Sequence, residues 1–494
     1  MDPGTSVAGS GSIITRIVAF IPGSVVPAAL ALVTSMVFTR VFTPAAFGRY
    51  SLLLVLVTPI RLLCTTWLTQ SIARFLPIER EQGGILRVKE VVLVSAVLIL
   101  AVESLITLAG LLLARQLAPD EWHAYLLPVA LFLVVTSLFE VLSVVFAAEA
   151  RAGEFTVYKV IDSVATLALR LVFVSALFHM DIALMFWSVL VSNGVLVPVM
   201  WSRAGLPGPR RVLSIWASPE TRAFTRSFVM FGMPMTVWFF FGVLLDVGDR
   251  YVLGYLMGSG PVGIYDANYR LIAGLASLMV VPIAYTLHPY LMRVASSAET
   301  HRVGEVIGTI VESLLLVGAT CVGAVALLHR DLGHVLLGQE FREGTIVMPV
   351  VLGGVFLSHV GSYTHKPFEI INRTRVMVGF STVAAVANIA LCFALIPVLG
   401  YPGAAYATLV SYLLYAAAVG VAGRKLIPWR LNVRRLLAEC GGVVVLVVAA
   451  SVARSLLRDQ PYVAGLAVAV ASSLLLTALA LSILIKRRSS MRAH

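Results

Sequence analysis

At 494 residues, 59% of them hydrophobic and 13% charged, the chain has about half the roughly 25% charged content of an ordinary soluble domain, which excludes a water-soluble globule of this length. The formal net charge of +12 calls for no nucleic-acid partner, because basic residues gathered on one side of a membrane and touching anionic headgroups account for it. Cys64, Cys321, Cys392 and Cys440 lie singly in apolar runs without CxxC spacing, so neither a disulfide framework nor a metal site is assigned, and no cofactor is implied.

Crossing about 30 Å of hydrocarbon takes about 20 apolar residues, and runs of that kind follow one another along the whole chain. The first set is Ile13–Phe38, Tyr50–Leu68, Val91–Leu113, Tyr125–Ala148, Val160–His179 and Ile182–Trp201. The second is Phe228–Leu245, Leu271–Leu291, Val306–Leu328, Ile346–Tyr363, Val376–Ile396 and Ala404–Ala422, with Leu437–Val452 and Val463–Ile485 appended. Each run is too long for a barrel strand and lacks its alternation. The expected fold is an all-α polytopic membrane protein of 14 transmembrane helices.

Basic residues set the orientation. With the N-terminus inside, inner segments hold 26 of the 37 Lys and Arg residues and outer segments eight. A missed or invented span would destroy that alternation, so both termini are expected to be cytoplasmic. The longest polar interval, Arg203–Arg226, reads as a cytoplasmic loop with an amphipathic piece.

The two sets share landmarks. Thr15-Arg16, Pro22, an apolar run, Arg40 and the exit FGRY are echoed by Thr225-Arg226, Pro234, an apolar run, Arg250 and VGIY. The expected organisation is therefore a six-helix lobe over 1–203, an inter-lobe loop over 204–226, a second lobe over 227–425, and two extra helices with a tail over 426–494. Parallel repeats with a central cavity are a transporter plan. Pro22, Pro59, Pro234, Pro282 and Pro289 lie in or near spans, where a missing backbone donor permits bending.

The segment from Arg226 to Arg270 carries GMPM and then DVGDRYVLGYLMGSGPVGIYDANYRL. With TRVFTPAAFGRYSL, SIARFLP, LLGQEFREGTIVMPVV and IPVLGYPGAAYATLVSYLLY, it resembles the bacterial polysaccharide flippases, the Wzx-like members of the MOP superfamily that also holds the MATE antiporters and lipid II flippases. The resemblance implies a non-enzymatic transporter of the bacterial inner membrane. Its cargo would be a polyprenyl-diphosphate-linked oligosaccharide, and polymerases and glycosyltransferases of polysaccharide biosynthesis would be its partners beside the membrane lipids. The alternative within the superfamily is a MATE-type cation-coupled small-molecule antiporter, for which an acidic cavity is expected.

In proteins of this superfamily the first, second, seventh and eighth helices face the cavity, which makes Arg16, Arg61, Arg226 and Arg270 the expected substrate contacts. Arginine suits a diphosphate because its guanidinium stays charged and offers a planar fork. Arg61 sits in mid-run with no helix end to reach, whereas Arg16 and Arg226 also fit snorkelling to the interface. Arg170 is expected to pair with Glu140 or Asp162. Asp249-Arg250 matches the family's DR step and reads as an outer-interface ion pair, with Asp246 one turn earlier as the coupling candidate. GSGPVG lacks the strand and helix of a phosphate-cradling loop, and no Walker motif points to ATP.

Overall fold

The computed structural model describes residues 22–117, 120–176, 181–296, 300–371, 373–456 and 470–472. Within a bilayer every backbone donor and acceptor must be satisfied inside the chain, and the described residues are helical with no strand. Six helices come first: α1 (Pro22–Val41), α2 (Pro44–Glu81), α3 (Ile85–Leu117), α4 (Asp120–Ala148), α5 (Ala152–Ala176) and α6 (Ala183–Arg203). The short α7 (Val212–Ala217) leads to α8 (Pro219–Met257), α9 (Ser259–Ser296) and α10 (Thr300–Leu336). A 3-10 segment, Gln339–Val347, precedes α11 (Met348–Thr364), α12 (Lys366–Ile370), α13 (Thr374–Leu399), α14 (Tyr401–Arg424) and α15 (Val433–Leu456).

Eleven of these are long and apolar enough to cross a membrane; α9 covers the expected eighth span and α5 the expected fifth as far as Ala176, the rest of which lies outside the described residues. The fourteenth, Val463–Ile485, lies outside the described residues apart from 470–472. Two helices outrun their apolar runs. α2 continues to Glu81 over 38 residues, and α8 runs for 39, about 58 Å at 1.5 Å per residue. The interval expected to be a loop, 204–226, contains α7 and the first turns of α8. Charge at Asp246–Arg250 does not interrupt α8, because those side chains find partners on neighbouring helices. What ends it is Gly258, whose φ of 81° few other residues tolerate; Gly400, at 68°, does the same between α13 and α14.

The described helices fall into two compact units. The first comprises Met1–Thr34 and Leu53–Val243. Its core brings together Leu68, Ile72 and Leu76 of α2, Val88 and Val92 of α3, Leu142 and Phe146 of α4, Met200 of α6 and Phe228 of α8. α2 and α8 touch backbone to backbone: a Cβ at Gly232 would run into the Trp67 carbonyl, and Ser71 donates to the Phe228 carbonyl at 2.7 Å. Around the turn after α4, Glu149 holds Lys89 at 3.0 Å and Arg151 at 2.9 Å. Burial works against the Arg151 charge, yet Glu149 and Glu154 outweigh it and hold its pKa above the ordinary arginine value.

The second unit comprises Ser35–Leu52 and Leu244–His494. Leu291, Ile307, Val311, Tyr363, Ala416 and Trp429 form a core there. The Ser35–Leu52 segment docks through close backbone approaches. A Cβ at Gly48 would meet the Ser259 carbonyl and one at Gly338 the Thr39 carbonyl; the Gly338 N–H donates to Thr39 Oγ1 at 3.1 Å, and Arg40 donates to the Val335 carbonyl. α15 offers little core, and polar clasps hold it to α10: Arg454 bonds Asp331 at 2.8 Å and the Leu327 carbonyl at 2.6 Å, while the Asn432 N–H donates to Glu312 Oε1 at 2.6 Å.

Candidate functional site

Charged side chains inside membrane helices survive only with partners or water, and each unit holds one group of them. In the first unit the group runs from α2 to α6. Arg61, half-buried on α2, lies within electrostatic reach of Glu103 on α3 and Glu140 on α4. Neither acid closes an ion pair with it. Glu140 instead holds Lys159 of α5 at 3.2 Å, and Glu103 accepts from Ser137 at 2.6 Å. Further along, Asp162 accepts from Ser192 at 2.7 Å and Thr166 at 3.4 Å, and Arg170 donates through Nε to Ser188 at 3.0 Å. Of the two acids expected to pair with Arg170, Asp162 lies within its electrostatic reach.

In the second unit the group is denser and built across α8, α9, α13 and α14. Arg250 is 3% exposed and bridges Asp249 at 2.8 Å and Asp266 at 3.1 Å, themselves 0% and 1% exposed. Its guanidinium lies 3.9 Å from the Tyr269 ring centre. Asp249 also accepts from the Tyr265 hydroxyl and from Thr408 Oγ1 at 3.0 Å, and Asn388 backs Thr408 at 3.2 Å. Every strong acceptor there has a donor, which is the condition for a buried ionic group to persist. The pair expected at an outer interface is therefore enclosed among helices, seven residues short of the end of α8.

Two charges at the edge of this group stay open. Asp266 also bonds Arg270 Nε, and the Arg270 side chain is 38% exposed; no other protein acceptor among the described residues takes its terminal nitrogens. Asp246 is exposed as well, with its carboxylate fixed by the hydroxyls of Tyr269 at 2.7 Å and Tyr412 at 3.4 Å. The arrangement presents a fixed guanidinium fork and a fixed carboxylate, able to bind an anion and a hydroxyl-rich group respectively.

Of the four arginines expected to contact substrate, Arg16 lies outside the described residues. Arg226 is exposed on α8, Arg61 belongs to the first unit's group, and Arg270 to the second's. Asp246, Asp249 and Arg250 are brought together as one site. Sequence reasoning missed Asp266, the residue that joins Arg250 to Arg270, along with Tyr265, Tyr269, Tyr412 and Thr408. A signal for Asp266 existed: it precedes Arg270 by four residues, one helical turn, and such pairs face each other. No cluster of three or more metal-ligating side chains occurs among the described residues.

A family model described as polysaccharide biosynthesis protein matches residues 15–295. The chain is similar to Agl15 of Haloferax volcanii (strain ATCC 29605), whose name describes a "Probable low-salt glycan biosynthesis flippase", with 26% identity over 165 residues. That match covers 33% of this chain and 34% of the relative, so the chain spans about a third of the relative's length. Among solved structures, lipid II flippase MurJ in an inward closed conformation aligns with a TM-score of 0.69 at 12% identity, covering 96% of this chain and 100% of that one. An outward-facing multidrug resistance MATE family transporter of the MOP superfamily aligns with 0.61 at 13% identity, covering 86% and 96%. At such identities the likeness establishes the fold alone.

Proposed function

We propose, starting from the fact that this chain belongs to the polysaccharide biosynthesis protein family, that it moves a polyprenyl-diphosphate-linked oligosaccharide from the inner to the outer leaflet by alternating access. The observation that carries the reading is Arg61: a guanidinium on a membrane helix, half-buried, with no carboxylate closed onto it among the described residues. An isolated anion entering hydrocarbon costs on the order of tens of kcal/mol by ideal estimates, and a positioned arginine offsets that cost with a charge-assisted fork. Arg270, held through Nε by Asp266 and 38% exposed, offers a further guanidinium, and Arg16 and Arg226 remain the other arginines proposed to meet an anion. Asp249 and Arg250, closed off from solvent, act as the frame that fixes Arg270 through Asp266.

The name of the Haloferax relative, a glycan biosynthesis flippase, supports a glycan cargo moved across the membrane. The chain is a multi-pass membrane protein. We place it in the bacterial plasma membrane with both termini cytoplasmic, as the basic residues favour, working beside glycosyltransferases and a polymerase. MATE-type antiport shares the fold, but the match to the polysaccharide family and the open arginines favour the larger anionic cargo.

The test is flipping of a fluorescent polyprenyl-diphosphate oligosaccharide in proteoliposomes. Arg61→Ala and Arg270→Ala are each expected to slow it roughly 10- to 100-fold, the equivalent of about 1.5–3 kcal/mol for hydrogen bonds to a charged group. Full-rate flipping by both variants at equal protein levels overturns the reading.

A further inference from the structure

Between Ala101 and Leu112 on α3, every described position but one is exposed or half-buried, and the exception is Glu103. Its side chain is fully buried. Oε1 accepts from Ser137, itself fully buried, and Oε2 has no hydrogen-bond partner. A carboxylate with one oxygen unpaired in an apolar interior is expensive, and the same group carrying a proton is not. Ser137 from α4 touches it, and Arg61 and Cys64 from α2 lie within its electrostatic reach. Glu140, one turn beyond Ser137 and paired with Lys159, also lies within electrostatic reach of Arg61.

Arg61 is a cation within electrostatic reach of this buried carboxyl group, and it is also the residue assigned to the cargo's diphosphate. We propose that Glu103 is a proton-binding residue coupled to anion binding at Arg61, an inference that rests on the anion reading of Arg61 above. When a diphosphate engages the guanidinium, the positive field at Glu103 is cancelled. Glu103 then takes a proton from water, forming the O–H bond on Oε2, and returns it to water when the anion leaves. Coupling of this kind is reciprocal: whatever factor the anion exerts on proton binding, the proton exerts on anion binding.

The experiment uses the full-length protein in nanodiscs with farnesyl diphosphate as probe. Binding is followed by calorimetry in buffers of different ionisation enthalpy, which counts the protons taken up. The wild type is expected to take up more protons per diphosphate than Glu103→Gln, which carries a permanently neutral isostere. The affinity of the wild type is expected to rise toward acid pH by a factor in the range of roughly 5 to 150 typical of coupled sites, while Glu103→Gln binds at all pH values as the wild type does in acid. Ser137→Ala keeps the carboxyl group but removes its donor, and shifts the midpoint of the pH dependence, a change that a packing role for Glu103 does not produce. Equal proton uptake by wild type and Glu103→Gln overturns the coupling while leaving the anion site standing. Failure of the wild type to bind the diphosphate, or unchanged binding by Arg61→Ala, overturns the anion reading itself.

Discussion

Replacing Arg250 with methionine tests the buried ionic group of the second unit most directly. The substitution roughly keeps the length of the side chain and removes a guanidinium that is 3% exposed and bridges two carboxylates at 2.8 and 3.1 Å. Breaking a buried pair from one side costs about 3–5 kcal/mol, because the remaining charge is left uncompensated. Two carboxylates lose a partner here, but they do not suffer alike. Asp266 keeps the bond to Arg270, whereas Asp249 retains only the neutral donors Tyr265 and Thr408. The cost is therefore that of one orphaned charge, about 3–5 kcal/mol and not twice that. Against a typical total stability of about 5–15 kcal/mol, the variant is expected to reach the membrane in reduced amount and to melt well below the wild type in a fluorescence thermal-shift assay in nanodiscs. The companion variant, Arg250→Met with Asp249→Asn, removes both charges and is expected to recover part of the loss, a non-additivity of about 0.5–3 kcal/mol for residues in contact. If Arg250→Met melts with the wild type, or the two substitutions simply add, the side chains do not form the coupled group described.

Two further outcomes follow from packing. Gly232→Ala puts a methyl group into the Trp67 carbonyl, and overpacking of that kind costs about 1–3 kcal/mol; Gly242→Ala, where a Cβ meets nothing, is the control that should melt with or above the wild type. Asp331→Asn replaces the charged end of the clasp on α15, and in a membrane preparation limited proteolysis after α15 should become several-fold faster in that variant, since only the bonds to the Leu327 carbonyl and to Glu312 and the small contact of Leu327, Leu328, Val447 and Ala450 remain to hold the helix.

The spans were legible because burial in lipid demands apolar length, and residues such as Leu93, Phe186 and Leu314 sit inside runs that no soluble element would need. Helix ends were not legible where charge interrupts the run. Asp246, Asp249 and Arg250 look like an exit from the membrane until Tyr265, Asp266 and Tyr269 are brought beside them by the reversal at Gly258, and a tertiary partner of that kind leaves no trace in local composition. Arg170 has the acid its spacing suggested, Asp162, within electrostatic reach, and the Ser188 hydroxyl on α6 that takes its Nε is a tertiary partner of the same hidden kind. The grouping of Ser35–Leu52 with the second unit was equally hidden, since its contacts are made by glycines and backbone carbonyls.

That last segment sets a timetable for biogenesis. Thr39 meets Gly338 across 299 residues and Arg40 meets Val335 across 295. At about 5–20 residues per second of synthesis, some 15–60 s separate the appearance of the two sides of this contact. Throughout that interval Thr39 and Arg40 are already made while their partners are not, so this part of the second unit cannot close until most of the chain has been threaded into the membrane. A ribosome pausing before Val335 would leave an assembly intermediate with Thr39 and Arg40 bare, and a factor that shields nascent membrane helices would find its substrate there.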